Sequence, residues 1–370
     1  MVSGLRGQPL SIGGESFDLT RPLDFMRFPM RAVDKAHFVR LMLRAFGKSD
    51  WSDWHDRSAA DLVDTWASAG VRETMFEPLT QIKFGMPCSE ISGAWLGARL
   101  HHREGSAALG YIPGRNWTEV LCNGLAHQLS RLGVRALTKT KIVRVETSKN
   151  AVREVETEGG GRIGGDVFVS TMATETLRRL IPEEDSPGIR EITYTALSSV
   201  ICATVQPIIA PEFYSMNLLG KTHTASGLFK LESLNPTLGT LGESYLNFVT
   251  HSHSRTQPFF KQSEDDVVEG YKRDFREVFG EELRARWIQV NRIPMYSPVL
   301  VRNFKNPPIA STRFGNLFFA GNYRTFPSVV STGTAMHSGL EAANAIVNSS
   351  KVLEVLDKAV RFAPSMFLQA

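Results

Sequence analysis

Between Gly315 and Val347 the chain reads GNLFFAGNYRTFPSVVSTGTAMHSGLEAANAIV, and this stretch carries the residues best suited to hold a ligand. Leu317 to Ala320 is a short apolar run stopped by Gly321, the pattern of a buried parallel strand. Asn322 supplies an amide, a polar loop with Pro327 follows, and Ser331 or Thr332 then caps a helix. From Gly333 onward the side chains are small (Thr334, Ala335, Ser338, Gly339, Ala342, Ala343), so another backbone or a flat ligand can come close. A strand that ends in glycine and feeds such a helix directs unpaired N–H groups, and the positive end of the helix dipole, above the strand end. Open α/β sheets bind ligands at that spot. The bland alternative is a strand–loop–helix unit packed in a core with no ligand.

The order of these residues resembles the C-terminal flavin-binding signature of the FAD-dependent family that contains amine oxidases, phytoene desaturases and protoporphyrinogen oxidase. There an apolar strand leads to Ala-Gly-acidic, a loop, and a helix whose N-terminus touches the flavin ring. Here Ala320, Gly321 and Asn322 hold the first three places, and Ser331, Thr332, Gly333, Thr334 and Ala335 hold the helix start. Asn322 stands where the family usually has Asp or Glu; an amide still hydrogen-bonds a ribityl hydroxyl or a phosphate oxygen.

Residues 83–114 are similar to a second stretch, found in members that look like protoporphyrinogen oxidase. Its parts here are Lys83, Phe84 and Gly85; Ser92, Trp95, Leu96 and Arg99; and Leu109, Gly110 and Tyr111. The family usually has Gly-Gly after the tyrosine, whereas here Gly114 is followed by Arg115. A third match, within Gly133 to Leu180, sets Ile142 in KTKIVRV at the strand that lies against adenine in the family. The resemblance runs from near Asp18 to Val347. It implies FAD as cofactor, with Ile142, Gly321, Asn322 and Ser331 to Ala335 as its contacts, and removal of hydride from a carbon bond as the ancestral activity.

The same family opens with a βαβ unit whose G-x-G-x-x-G loop holds the FAD pyrophosphate. Such a unit takes about 30 residues, and nothing before Gly85 has that form. Residues 1–19 read as a polar, turn-rich hairpin in which Gly13-Gly14 leads into no helix. The formal match, Gly159, Gly161 and Gly164, lies between two strand-like runs and reads as a hairpin loop. The sequence therefore looks like a family member that starts after its dinucleotide motif. Each N–H bond to a charged group is worth ~1.5–3 kcal/mol, so the chain is expected to bind FAD weakly or not at all.

Composition fits a soluble enzyme: 370 residues at 42% hydrophobic bury a large core, most simply as two intertwined domains. A net charge of +4 with no Lys/Arg block argues against nucleic acid as a partner. Cys88, Cys122 and Cys202 lie far apart, which fits a reducing, cytoplasmic setting and excludes a disulfide framework. No apolar run approaches the ~20 residues of a membrane span, although peripheral membrane contact stays open because relatives handle isoprenoid or porphyrin substrates. The pairs His101-His102 and His251-x-His253 lack a third ligand at metal spacing, so no metal is expected. Glu183-Glu184-Asp185 reads as a solvated turn. Trp95 and Arg99, one helical turn apart, line a pocket or form a core aromatic with a stem-buried arginine; both readings stand.

The pattern predicts helices over Ala32–Gly47, capped by Asp34 and with Phe38, Met42 and Phe46 on one face; from Ser58, with Asp61 completing the cap; over Arg72–Phe84 around Pro78; and over Trp117–Leu132. A last clear helix runs over Ser263–Phe279 and stops at Gly280. Val134–Thr171 suggests a meander, with Asp166–Met172 rejoining the sheet of Leu317–Ala320. Ser198–Gln206, Leu228–Leu231 and Tyr245–Thr250 suggest an antiparallel sheet.

The expected fold is α/β: a Rossmann-like FAD/NAD(P)-binding domain without its N-terminal βαβ unit, intertwined with an α+β substrate domain containing a mixed or antiparallel sheet. Residues 1–110 form the mainly helical part of the substrate domain, 111–182 and 300–350 the rest of the FAD-binding domain, 183–299 the antiparallel part of the substrate domain, and 351–370 a tail. The expected function is that of an FAD-dependent oxidoreductase acting on a small or isoprenoid-like molecule. Two other readings are a flavin-dependent isomerase resembling UDP-galactopyranose mutase and a non-catalytic member without tight FAD binding. An uncovered sheet edge at Asp166–Met172 and Leu317–Ala320 is expected to promote self-association.

Overall fold

The computed structural model describes residues 9–101, 112, 114–205, 207–208, 213–219, 224–240 and 242–349. They fall into two compact units: those up to Leu137 with Tyr194–Asn303, and Thr138–Thr193 with those from Phe304 onward. Both units are discontinuous in sequence. The joins expected at 110, 182 and 299 fall at 137, 193 and 303, so the helix after Asn116 groups with the first unit.

The first unit contains a seven-stranded mixed sheet in the order β11-β7-β10-β9-β8-β1-β2. Its strands are β1 (Leu10–Ile12), β2 (Glu15–Phe17), β7 (Tyr194–Thr204), β8 (Ser215–Leu218), β9 (Gly227–Lys230), β10 (Ser244–Ser252) and β11 (Ala285–Pro298). All neighbours run antiparallel except β1 and β8. The expected N-terminal hairpin is β1–β2, turned by Gly13 and Gly14 at φ 59° and 80°. Alternation along β7 and β10 sends Val200, Cys202, Leu246 and Phe248 to one face, where α11 (Glu264–Phe279) covers them with Val267, Tyr271 and Phe275. Ser263 caps α11 by accepting from the Asp266 N–H, and Gly280 ends it at φ 70°.

The helices of this unit are α1 (Pro22–Arg27), α2 (Ala32–Gly47), α3 (Ala59–Trp66), α4 (Ala69–Val71), α5 (Glu77–Phe84), α6 (Gly93–His101), α7 (Trp117–Arg131), α9 (Leu231–Leu234) and α10 (Pro236–Gly239). Ser58 and Asp61 form the expected capping box on α3. Two readings of α2 are corrected. Asp34 is not its cap but a buried member of its first turn, accepting from Arg31 Nε at 2.6 Å and Ser68 Oγ at 2.7 Å. Phe46 is 50% exposed, because each step of four residues turns about 40° past a full turn, and the buried face centres instead on Leu41 and Ala45. Before Pro78 the chain makes a π-helical stretch, Arg72–Phe76, so that the proline falls in the first turn of α5, where its missing N–H costs nothing. Gly97 of α6 lets the helix lie on Trp51, since a Cβ there would come within 2.0 Å of the indole.

The second unit holds the meander β3 (Ile142–Ser148), β4 (Ala151–Thr157) and β5 (Arg162–Gly164), and a separate pair, β6 (Phe168–Ser170) parallel to β12 (Leu317–Phe319). The Gly159–Gly164 spacing is the turn from β4 to β5, as expected. Asn316 ties the two sheets: it accepts from the Val152 N–H and donates to the Val152 and Asp166 carbonyls. The helices are α8 (Thr174–Leu180) and α12 (Thr332–Val347). The acidic run is not wholly solvated. Glu183 and Asp185 are exposed, but Glu184 is buried and accepts from Ser311 Oγ at 2.6 Å and the Ser186 N–H at 2.8 Å. Its position after α8 turns it inward, onto the loop that precedes β12.

Candidate functional site

The segment singled out in the sequence folds as strand, glycine, loop and helix. Leu317 to Ala320 are all buried, and β12 continues hydrogen bonding past its end through the Ala320 N–H to the Ser170 carbonyl at 3.1 Å. Gly321 then takes φ 145°, a conformation that side-chain-bearing residues rarely adopt, and a Cβ there would lie 2.9 Å from the Tyr323 ring. Tyr323 is buried, and its hydroxyl donates to the Ser170 carbonyl at 3.1 Å. Glycine at 321 is thus required by both backbone and space.

Of the two caps the sequence allows, the structure uses Ser331. Its Oγ accepts from the Thr334 N–H while Thr334 Oγ1 accepts from the Ser331 N–H, a reciprocal box. Thr332 and Gly333, the first two helical residues, keep N–H groups with no intrahelical acceptor. Both are exposed, and a Cβ at Gly333 would meet only Ser331 Oγ, 3.9 Å away. Among the described residues these two donors meet no acceptor, and they stand at the positive end of a 16-residue helix, where negative charge is favoured. Asn322 is half-buried, and among the described residues its amide has no hydrogen-bond partner.

The structure therefore brings Gly321, Asn322 and Ser331 to Ala335 into one continuous segment. Ile142 begins β3 in the other sheet of the same unit, paired with Thr157. Sequence reading missed the residues that hold this segment in shape. Ser338 fastens α12 to Gly321, and Arg324, nearly buried, donates to the Pro307 carbonyl at 3.0 Å and pairs with Glu341 at 3.3 Å. The spacing of Arg324 and Glu341, 17 residues across a loop, follows no helical or strand period and left no signal.

The second matched stretch lies in the first unit. Lys83 lies in the last turn of α5, with its Nζ 5.5 Å from the centre of the Phe84 ring and 6.0 Å from that of Trp95. Phe84 and Trp95 meet edge to face at 4.9 Å. Trp95 is buried and Arg99 half-buried. Leu109, Gly110 and Tyr111 lie outside the described residues, as do His102 and the tail 351–370. Burial pushes the Cys88 and Cys202 thiols up to about 12, which makes them poor nucleophiles. Among the described residues no group of three or more His, Cys, Asp or Glu is placed to hold a metal, and no helix is long and apolar enough to cross a membrane.

This architecture, α/β with a mixed sheet, recurs in solved structures. The chain is similar to a candidate protoporphyrinogen oxidase from Exiguobacterium sp. 255-15, at TM-score 0.66 and 13% identity over 92% of this chain and 81% of that one. It is similar to a putrescine oxidase variant redesigned in cofactor binding, at TM-score 0.63 and 11% identity over 94% and 83% of the two chains. It is also similar to reduced UDP-galactopyranose mutase, at TM-score 0.61 and 10% identity over 85% and 72%. In sequence, no curated protein matches the chain. The model of the flavin-containing amine oxidoreductases matches residues 69–347, well over half of the chain, and the chain belongs to that family.

Proposed function

We propose that the chain is a flavin-dependent oxidoreductase that removes hydride from a carbon bond of a small or isoprenoid-like molecule. Its flavin contacts would be Ile142, Gly321, Asn322, Ser331, Thr332, Gly333, Thr334 and Ala335. The observation that carries this reading is the α12 N-terminus, where a capped helix presents the free N–H groups of Thr332 and Gly333 beside a glycine-terminated parallel strand. A bound flavin supplies the hydride acceptor. The residues' part would be to bind and orient: the Thr332 and Gly333 N–H groups would donate to the flavin, and the helix dipole would favour negative charge there. The Asn322 amide donates to a ribityl hydroxyl or a phosphate oxygen.

A second reading, a member without tight FAD binding or catalysis, is favoured by one observation. Among the described residues, the one G-x-G-x-x-G spacing is the turn between β4 and β5, with no helix to cradle a pyrophosphate. An isomerase like UDP-galactopyranose mutase draws support only from likeness of fold. Three cysteines without a disulfide, two of them buried, support a reducing and cytoplasmic setting.

Flavin titration of the full chain, followed by quenching of flavin fluorescence, tests the reading. Saturable binding that Gly333→Leu abolishes supports it. Binding indifferent to Gly333→Leu, or no binding of any flavin, removes it.

A further inference from the structure

The second unit holds a cavity of about 340 Å³ lined by Glu175, Arg178, Arg179, Pro182 and Arg190. That size is at the lower end of small-molecule sites. Three guanidinium groups stand there against one carboxylate, a surplus of two positive charges. Arg178 and Arg179 come from the last turn of α8, and Arg190 returns to them along the loop that follows. Arg178 Nη1 donates to the Arg190 carbonyl at 3.1 Å and Arg190 Nη2 to the Pro182 carbonyl at 3.0 Å, which braces that loop on the helix end. Arg179 Nη2 donates to Thr176 Oγ1 at 3.3 Å. Arginines in a last turn often serve the helix's own carbonyls; these two bond the loop and a threonine side chain instead. All three acceptors are neutral, and each bond employs one of the five N–H donors of its guanidinium. Among the described residues none of the three arginines forms an ion pair. Arg178 Nε is buried and meets no acceptor, so this arginine is kept here at a cost. Like charges around one cavity also repel one another. Bracing a loop does not need three cations, whereas an anion seated among them relieves the repulsion.

We propose that this cavity binds the terminal phosphate of a phosphomonoester. Planar guanidinium forks match phosphate oxygens in pairs, and three forks suit the three terminal oxygens of such a group. The surplus of two positive charges also matches the nearly two negative charges that a phosphomonoester carries at neutral pH. A carboxylate or a phosphodiester offers only one. Arg179 and Arg190 are exposed, so the cavity is reached from solvent. FAD has an internal diphosphate and no terminal phosphate, and none of these residues is among the proposed flavin contacts. The inference uses groups of the second unit alone and does not depend on flavin.

The test is calorimetric titration of the full chain with phenyl phosphate, methyl phenyl phosphate and benzoate. Phenyl phosphate is expected to bind at one site, with the singly charged diester and benzoate weaker by about tenfold or more. Arg179→Gln and Arg190→Gln should each weaken phenyl phosphate by about tenfold or more, the loss of a charged hydrogen bond. Arg179 is exposed and braces nothing in the loop, so its replacement leaves the fold intact and decides the matter even if the Arg190 variant does not fold. Sedimentation with phosphatidylcholine vesicles, with and without phosphatidate, separates the two sources of such a phosphate. Pelleting that needs phosphatidate and is lost in Arg179→Gln assigns it to a lipid headgroup; phenyl phosphate binding without pelleting assigns it to a soluble ester. The proposal is overturned if phenyl phosphate does not bind, if the diester or benzoate binds as tightly, or if Arg179→Gln binds phenyl phosphate like the parent.

Discussion

Ser338 reaches back from the second turn of α12 to the end of β12, accepting from the Gly321 N–H at 2.8 Å. Its own proton lies between the Ala335 carbonyl at 2.6 Å and the Gly321 carbonyl at 3.2 Å. Ser338 is buried, so this bond is shielded from water. It sets the distance between the strand end and the helix, and with it the position of the free N–H groups. Ser338→Ala should cost ~1 kcal/mol, with the Gly321 N–H left unmet, and should weaken flavin binding as well. Unchanged thermal unfolding together with unchanged flavin affinity would sink this role.

Gly333 and Asn322 separate binding from folding. A side chain at 333 meets open space in the protein alone, so Gly333→Leu should melt within about 1 kcal/mol of the parent while losing flavin. Asn322→Ala should weaken flavin by ~1 kcal/mol, and Asn322→Asp should be tolerated or improve binding. Circular dichroism melts run beside fluorescence titrations distinguish these outcomes from misfolding.

With the one glycine-rich spacing spent on a hairpin turn, the phosphates of FAD gain little from the described residues. Riboflavin and FAD should therefore bind within about tenfold of each other. A preference for FAD of three orders of magnitude, measured by competitive titration, would show that a phosphate cradle exists elsewhere in the chain.

His251 gives the fold an acid limit. Burial, helped by the Lys83 charge and opposed by a hydrogen bond to the Ile82 backbone, lowers its pKa from 6.5 to about 4. Between those values the unfolded chain binds the proton more readily than the folded one. Stability contributed by neutral His251 is therefore intact above pH 6.5 and lost as pH falls toward 4. The expected loss at pH 5 is roughly 1–2 kcal/mol. Urea midpoints at pH 7 and pH 5 measure it, and His251→Phe should flatten the slope.

Gly97 tests the packing of α6. Its missing Cβ leaves room for Trp51, a fully buried indole 2.0 Å from where that carbon would sit. Gly97→Ala should destabilise the chain by ~1–3 kcal/mol or more, against the usual gain from alanine in a helix. An equal or higher melting temperature would mean that Trp51 yields without cost.

Local chemistry was readable wherever a short-range rule acts. The Ser58–Asp61 and Ser263–Asp266 caps and the Gly280 stop follow from spacing alone, and the pairing of β6 with β12, though long-range, was readable because both runs are apolar and β-rich. What was not readable depends on distant partners. Asp34 looks like a cap until Ser68 is seen to claim its carboxylate, and Glu184 looks solvated until Ser311 arrives from the loop before β12. The expected uncovered edge shifted for the same reason. Residues 309–311 hydrogen-bond the outer side of β12, whose residues are buried, and among the two strands only Val169 of β6 is strongly exposed. Self-association, if sedimentation detects it, should respond to Val169→Lys. It should respond too on α7, where Trp117, Leu125 and Leu129 are exposed.

The joins at 137, 193 and 303 have a bearing on how the chain is made. Ser170 meets the Tyr323 hydroxyl across 153 residues, and β6 has no β-partner until β12 has been synthesised. The whole stretch Tyr194–Asn303 leaves the ribosome in that interval and belongs to the other unit. Newly made β6 must therefore wait, apolar and single, while its neighbours condense without it. That exposure falls during translation, and it ends only when Leu317–Phe319 emerges to pair with Phe168–Ser170.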